Sequence, residues 1–193
     1  MISYKHLSDE KLLELISSHN ESAIAALLDR YKNKFYTTAY LLVKDRYIAE
    51  DIFQEACVKI FRCIREGKYK DDGKFLAWAI RVTRNLAIDH LRVSKRMPKV
   101  TLPDGKDIFS VLNFGEETRE DHIMRQQSSS RVRKMLDHIS YEQREVIVMR
   151  LFGNMSFKEI AEHTQVSLNT ALGRMRYGLI NLRKLMDEKG ILL

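Results

Sequence analysis

The sequence predicts an all-α protein of two small helical domains joined by a flexible linker, and three observations predict it. Apolar residues recur at spacings of three and four along most of the chain. Both prolines, Pro98 and Pro103, fall in one central stretch. That stretch, from about Ser94 to Glu120, is charged, holds the turn pair Asp104-Gly105 and Gly115, and lacks apolar periodicity. The expected boundaries are therefore 1–94 for the first domain, 95–121 for the linker and 122–193 for the second domain.

A short helix over Lys11–Ser17, entered through Ser8 or Asp9, opens the first domain. A long helix follows, with Ile24, Leu27, Leu28, Tyr31, Phe35, Ala39 and Leu42 on one face and Asn20 as its cap. The next helix turns Ala49, Ile52, Phe53, Ala56, Ile60 and Ile64 inward and leaves Glu50, Asp51, Gln54 and Glu55 on another face. After the loop Glu66–Gly73, a third long helix from about Phe75 buries Leu76, Ala79 or Ile80, Thr83, Leu86 or Ala87, and Leu91. Its remaining positions include Arg81, Arg84, Asn85, Asp89 and Arg92. The second domain begins with Val132, Met135, Leu136 and Ile139 at helical spacing. Ser140 to Gln143 and Ser156 to Glu159 each spell S-x-x-[EQ], the pattern of a reciprocal capping box that marks a helix start. Gly153-Asn154 ends the helix between them, where a left-handed residue is needed, and Ser167 caps a final helix through roughly Asp187.

Composition narrows the function. With 45% hydrophobic and 31% charged residues the chain is globular rather than disordered or membrane-embedded. No run reaches the roughly 18 to 20 apolar residues of a membrane span, and residues 1–10 lack a signal peptide's charged start and apolar stretch, so a cytoplasmic location is expected. A formal charge of +7 and a pI near 9.4 favour a polyanionic partner, because Lys and Arg that neutralise phosphates release condensed counterions. The six His form no H-E-x-x-H pattern, and no glycine-rich phosphate loop is present. Cys57 and Cys63 are spaced neither as paired zinc ligands nor as a helical i, i+4 pair, and read as reduced packing residues. No catalytic residue, metal or cofactor is expected.

Two segments carry binding chemistry. Ser156–Thr170 reads as helix, short turn, helix, the spacing of a helix-turn-helix whose second helix enters the major groove. Leu168, Asn169, Thr170, Gly173 and Arg174 would then meet base edges, Arg176 and Tyr177 would lie nearer the backbone, and Ser167 with the helix N-terminus could hold phosphate. An ordinary helical hairpin with a solvated basic face is the competing reading. In the first domain, Lys68, Tyr69, Lys70 and Lys74 lead into Phe75, Trp78, Arg81, Arg84, Asn85 and Arg92, a mixture of aromatic and basic groups that suits single-stranded DNA. Phe75 and Trp78 could equally be core residues, and the arginines plain solvent-facing positions. The group Glu50, Asp51, Gln54 and Glu55 either docks a basic partner or complements a positive helix N-terminus.

Three of these segments, in this order, resemble the extracytoplasmic-function (ECF) sigma factors, minimal sigma-70-like transcription initiation factors with only region 2 and region 4. Residues 49–55, Ala-Glu-Asp-Ile-Phe-Gln-Glu, are similar to the family's A-E-D-[LI]-x-Q-E core-polymerase motif. Phe75 through Arg92 is similar to its F-x-x-W-L-x-x-I-A-x-N-x-x-x-D-x-x-R helix. Gln143 through Glu159-Ile-Ala-Glu to Arg174 resembles region 4. The resemblance implies that Asp51, Gln54 and Glu55, with Glu50 beside them, dock the clamp-helix coiled coil of the largest subunit of core RNA polymerase. It implies that Tyr69, Lys70, Lys74, Phe75, Arg81, Arg84, Asn85, Asp89 and Arg92 capture the melted minus-10 element of promoter DNA. The minus-35 duplex would be read by Ser167, Leu168, Asn169, Thr170, Gly173, Arg174, Arg176 and Tyr177.

The resemblance also implies an anti-sigma factor wrapping both domains, with a compact inhibited state expected only in such a complex. The chain departs from the family pattern where Ile139-Ser140 replaces Leu-Pro, where Gln165 stands in place of the turn glycine, and where Leu172 and Gly173 replace polar or basic residues. A stand-alone helix-turn-helix regulator with a sensory first half is the main rival, separable because it would dimerise on duplex DNA without polymerase. A nucleic-acid enzyme lacks a clustered carboxylate or metal set, and a protein-only adaptor would bind independently of salt.

Overall fold

The computed structural model describes residues 4–17, 20–70, 72–96, 135–136 and 138–188. Among the described residues lie seven α-helices: α1 Asp9–Ser17, α2 Glu21–Val43, α3 Arg46–Arg65, α4 Phe75–Arg96, α5 Tyr141–Gly153, α6 Phe157–Thr164 and α7 Leu168–Glu188. The expected all-α class in two helical units holds. Helix α4 continues through Arg96, past the expected boundary at 94. The rest of the expected linker, with both prolines, and Val132 lie outside the described residues.

The helix starts follow from caps. Ser8 Oγ accepts from the Lys11 N–H at 3.3 Å and opens α1. Asn20, in an extended conformation, accepts from the Ala23 N–H at 3.2 Å and opens α2. Asp45 does the same for α3, accepting from Ile48 at 3.0 Å. Helix α3 therefore begins at Arg46, earlier than its apolar periodicity indicates. Lys44 takes the left-handed conformation between α2 and α3, at φ 62°, and its N–H closes on the Tyr40 carbonyl at 2.8 Å.

The two S-x-x-[EQ] patterns behave differently. At Ser156 both arms of the capping box form: Ser156 Oγ accepts from the Glu159 N–H at 3.3 Å, and Glu159 Oε2 accepts from the Ser156 N–H at 2.8 Å. At Ser140 the hydroxyl caps Gln143 at 3.3 Å, but the Gln143 side chain turns to α7 and accepts from Asn181 at 3.1 Å. Asn154, not Gly153, supplies the left-handed residue after α5, at φ 51°. Gly153 is needed for space: a Cβ there would stand 3.3 Å from Ile80 Cγ2 of α4. Gly178 plays the same part where α7 crosses α5, since its Cβ would meet Ile147 Cδ1 at 3.0 Å.

Helices α1–α4 enclose one core, built on Leu12, Ile16, Leu27, Phe35, Leu42, Ile52, Ile60, Phe75 and Ile80. Helices α5–α7 enclose a second around Val146, Met149, Met155, Ile160 and Ala171. The units are packed against each other. Leu41 of α2 joins a buried cluster with Leu136, Ile139, Ile147 and Val148, while Tyr141 and Phe152 of α5 pack on the first core and Ala77 of α4 on the second. A compact arrangement expected only with a bound partner is thus adopted by the chain alone, because α5 is apolar on the face it turns to α2 and α4 as well as on the face it turns to α6 and α7.

Candidate nucleic-acid interface

The helix-turn-helix is built by α6, its turn and α7. Gln165 closes α6 in the left-handed conformation at φ 55°, and the Val166 N–H reaches back to the Ala161 carbonyl at 3.0 Å. The turn therefore keeps the shape a glycine would give it, at a steric cost of about 1 kcal/mol for a side chain in this region. Ser167 Oγ accepts from the Thr170 N–H at 3.1 Å and lies 2.9 Å from Thr170 Oγ1, so it serves first as the cap of α7. Ala171 and Gly178 of α7 are buried and Met175 and Leu182 are half-buried against α5 and α6. At 3.6 residues per turn the opposite face centres on Asn169, Gly173 and Arg176, with Tyr177 beside them. Leu168 and Leu172 flank it on one side and Thr170 and Arg174 on the other. Of the two arginines, Arg176 is exposed near the centre of this face and Arg174 is half-buried on its flank. Exposed Leu179 and Ile180 extend this helix surface and were not anticipated.

On α4 the outcome is different. Phe75 is 2% exposed and its ring contacts Tyr31, Tyr69 and Trp78, which corrects its assignment to DNA: no ring face is left for a base. It holds the loop aromatics in place instead. Tyr69 packs on the half-buried Trp78 with centroids 4.4 Å apart. Nor do the basic residues of α4 face solvent together. Lys74 Nζ donates to Glu159 Oε1 of α6 at 2.6 Å, Arg81 Nη1 lies 3.4 Å from His163 Nε2 of α6, and Arg84 donates to Glu145 Oε1 of α5 at 2.8 Å. Arg81 and Arg84 are half-buried by these contacts, whereas Lys74, just before α4, stays exposed, as do Lys70, Asn85, Asp89 and Arg92, with Arg92 3.7 Å from Asp89.

Charge follows this pairing. The Lys74 ammonium, then the Ser156 hydroxyl and N–H, hold the Glu159 carboxyl down at about 2. Burial, then the Arg81 and Arg84 guanidiniums, hold the His163 imidazole below its ordinary 6.5, partly opposed by Glu162 and Glu159. A cleft between the units is lined by Tyr69, Lys70, Lys74, Trp78, Arg81, Glu159 and His163 among others.

A third surface lies on α3. Because the helix begins at Arg46, its first turn holds no acidic residue, and Glu50 and Asp51 sit in the second turn. Complementing the helix N-terminus, which acts within the first turn, does not account for them. Glu50 is half-buried and accepts from Arg46 at 3.2 Å, while Asp51, Gln54 and Glu55 are exposed. Tyr47 and Val58, 61% and 54% exposed, extend the Asp51–Gln54 line at both ends. Their i, i+4, i+7, i+11 spacing could have revealed them, had the helix start been placed at Asp45. Cys57, on the inner side of α3, has its thiol pushed up to about 11 by burial. Among the described residues no group of His, Cys, Asp and Glu could hold a metal ion, and no helix is long and apolar enough to cross a membrane.

Two family models match the chain: Sigma-70 region 2 over residues 27–97 and Sigma-70, region 4 over residues 129–172, together more than half of its length. The chain belongs to the sigma-70 family. It is a sigma factor of the ECF type and directs core RNA polymerase to promoters. Similar proteins include the ECF RNA polymerase sigma factor SigW of Bacillus subtilis, 26% identical over 93% of this sigma factor and 97% of the relative. The RNA polymerase sigma-H factor of Pseudomonas aeruginosa is 25% identical over 86% and 88% of the two chains. In fold, this sigma factor is similar to CnrH solved in complex with the cytosolic domain of CnrY, with a TM-score of 0.62 and 21% identity over 93% and 97% of the chains. It is also similar to the sigma factor RpoE solved with the anti-sigma factor NepR from Bartonella quintana, with a TM-score of 0.61 and 18% identity over 83% and 94%. The region 2 match thus takes in α3 and α4, and the region 4 match takes in α5, α6 and the first turn of α7.

Proposed function

We propose that each surface serves one step of promoter opening. The α3 line of Tyr47, Asp51, Gln54 and Val58, with Glu50 and Glu55 beside it, docks core polymerase. Its acidic centre between two exposed apolar side chains has the make-up of a protein-binding patch. The α4 side, with Tyr69, Lys70, Lys74, Arg81, Arg84, Asn85, Asp89 and Arg92, captures the melted minus-10 strand through cations on phosphates and the Tyr69–Trp78 pair beneath the bases. The α7 face of Asn169, Gly173 and Arg176, flanked by Leu168, Thr170, Arg174 and Tyr177 and capped by Ser167, reads the minus-35 duplex.

In this reading residues 1–94 and 122–193 act as separate binding domains on polymerase. The sigma factor supplies specificity and strand separation in the cytoplasm and catalyses nothing, the nucleotidyl chemistry belonging to polymerase. An anti-sigma partner that covers both domains fits the similarity in fold to RpoE, solved with NepR. The observation that carries the proposal is the pairing of an acidic stripe in region 2 with an exposed reading helix in region 4. The test is run-off transcription by purified core polymerase on promoter fragments. Added sigma factor yields discrete transcripts, and changing Asp51 and Gln54 together to Ala abolishes them while leaving the helical circular-dichroism signal intact. Transcripts unaffected by that double change would remove α3 from the proposal.

A further inference from the structure

We infer that α7 reads thymine methyl groups: Gly173 lets the helix sink toward the floor of the major groove, and Leu168 and Leu172 then meet the C5-methyls of two thymines in the minus-35 element. This deepens the assignment of α7 to the minus-35 duplex and rests on it.

The glycine carries the first half of the inference. Gly173 lies in the interior of α7, where glycine is the poorest helix former after proline. The other described glycines each answer to a need within the chain. Gly67 and Gly73 have positive φ, and Gly153 and Gly178 make room for Ile80 and Ile147 of neighbouring helices. Gly173 has neither reason: it is helical, and a Cβ built on it would meet nothing within 4 Å. The chain therefore gives up helix stability there and gains no packing of its own. The position accounts for the choice, because Gly173 stands at the centre of the face opposite the buried Ala171 and Gly178, between Asn169 and Arg176. A helix with its side chains is about 10–12 Å across and the major groove about 12 Å wide. A missing side chain at the centre of the inserted face lets the backbone come close to the base edges.

The leucines carry the second half. Leu168 and Leu172 are 47% and 41% exposed, and neither belongs to an apolar cluster of the fold. Four residues apart, they form one edge of the reading face, beside Gly173. Apolar area left in water is recovered when it meets another apolar group. The major-groove edges of the base pairs offer one methyl, that on C5 of thymine. The two side chains are separated by about 6 Å along the helix, against about 3.4 Å per base step, so the thymines lie one or two steps apart. The opposite edge, with Thr170 and Arg174, is polar, which fixes the methyl-reading side of the helix as the one next to Arg176.

The full chain assembled with core polymerase tests this. Holoenzyme selects duplexes from a pool made from a transcribed promoter fragment whose minus-35 segment is randomised. The selected fragment is then synthesised with deoxyuridine in place of each thymine of that segment in turn, a change that removes one methyl and keeps every hydrogen-bonding group. Binding is compared for the unaltered chain and for Leu168→Ala, Leu172→Ala and Gly173→Ala.

The selected segment should carry thymines no more than two steps apart, and uracil at two positions should weaken binding about three- to fivefold each, the worth of one buried methyl. Leu168→Ala loses this sensitivity at one position and Leu172→Ala at the other. Gly173→Ala weakens binding to every duplex by about tenfold while raising the thermal midpoint of the free chain, since alanine is the better helix former. A selected segment without thymine, or the same thymine-to-uracil ratio in the leucine variants as in the unaltered chain, overturns methyl reading and leaves the assignment of α7 in place. Unchanged duplex affinity in Gly173→Ala overturns the close approach. Leucine variants that lose core polymerase binding instead would give this edge to a protein contact. If Asn169→Ala with Arg176→Ala leaves both affinity and the selected sequence unchanged, the assignment of α7 to the minus-35 duplex itself fails.

Discussion

Arg84 of α4 aims both Nε and Nη2 at a single oxygen, Oε1 of Glu145 on α5, at 2.8 and 2.7 Å, with 13% and 5% of the two side chains exposed. The Tyr141 hydroxyl also donates to that oxygen, at 3.4 Å. Removing one partner strands a buried charge, so Arg84→Ala or Glu145→Ala costs about 3 kcal/mol of the packing between the regions. The double change costs less than the sum, with a coupling of about 1–3 kcal/mol. A double-mutant cycle on the stability of the closed state, followed by denaturant titration, measures it. Additive losses would mean that the two side chains do not depend on each other.

His163 makes the same junction pH-dependent. Burial, Arg81 and Arg84 lower its folded pKa below 6.5, against weaker support for the charged form from Glu162 and Glu159 on its own helix. A separated chain with an ordinary imidazole therefore binds more protons than the closed one, and stability falls as pH drops. The closed state keeps its full contribution from this residue above pH 6.5 and loses it below. Small-angle scattering between about pH 7.5 and 5.5 should show expansion on acidification that His163→Gln abolishes; an identical response in the variant would assign the effect elsewhere.

The position of Arg176 on α7 sets a hierarchy on duplex DNA. It lies near the centre of the exposed face, whereas Arg174 is half-buried on its flank. Arg176→Ala should weaken binding of holoenzyme to promoter duplex by about 1–3 kcal/mol, and Arg174→Ala by less. Competition binding at fixed salt ranks them, and the reverse order would mean that α7 enters the groove rotated toward Thr170.

Gln165 is held at φ 55° with its side chain exposed and outside either core. Glycine adopts that conformation without the Cβ clash, so Gln165→Gly should stabilise region 4 by about 0.5–1 kcal/mol. A rise in thermal midpoint with unchanged duplex affinity is the expected result. A fall would show that glycine's greater freedom in the unfolded chain outweighs the relief.

The helices and their polar starts were legible in the linear pattern because caps and amphipathic faces are local. Asn20, Ser140, Ser156 and Ser167 each satisfy an amide three residues ahead. Asp45 carried the same signal and moved α3 forward, which turned Glu50 and Asp51 from first-turn residues into part of a longer exposed stripe with Tyr47 and Val58. Phe75 shows where local reading ran out: an aromatic at the head of a helix fits a base stack or a core equally well. Only its packing against Tyr31, Tyr69 and Trp78 chose the core.

By itself the sequence determined the helical class, the two units and the motifs of regions 2 and 4, since these depend on residues within a few turns of one another. The tertiary structure decided which charges are available. Arg84 meets Glu145 across 61 positions and Lys74 meets Glu159 across 85. Such pairs follow from how α5 buries its second apolar face on α2 and α4, a long-range consequence of packing that no local spacing encodes.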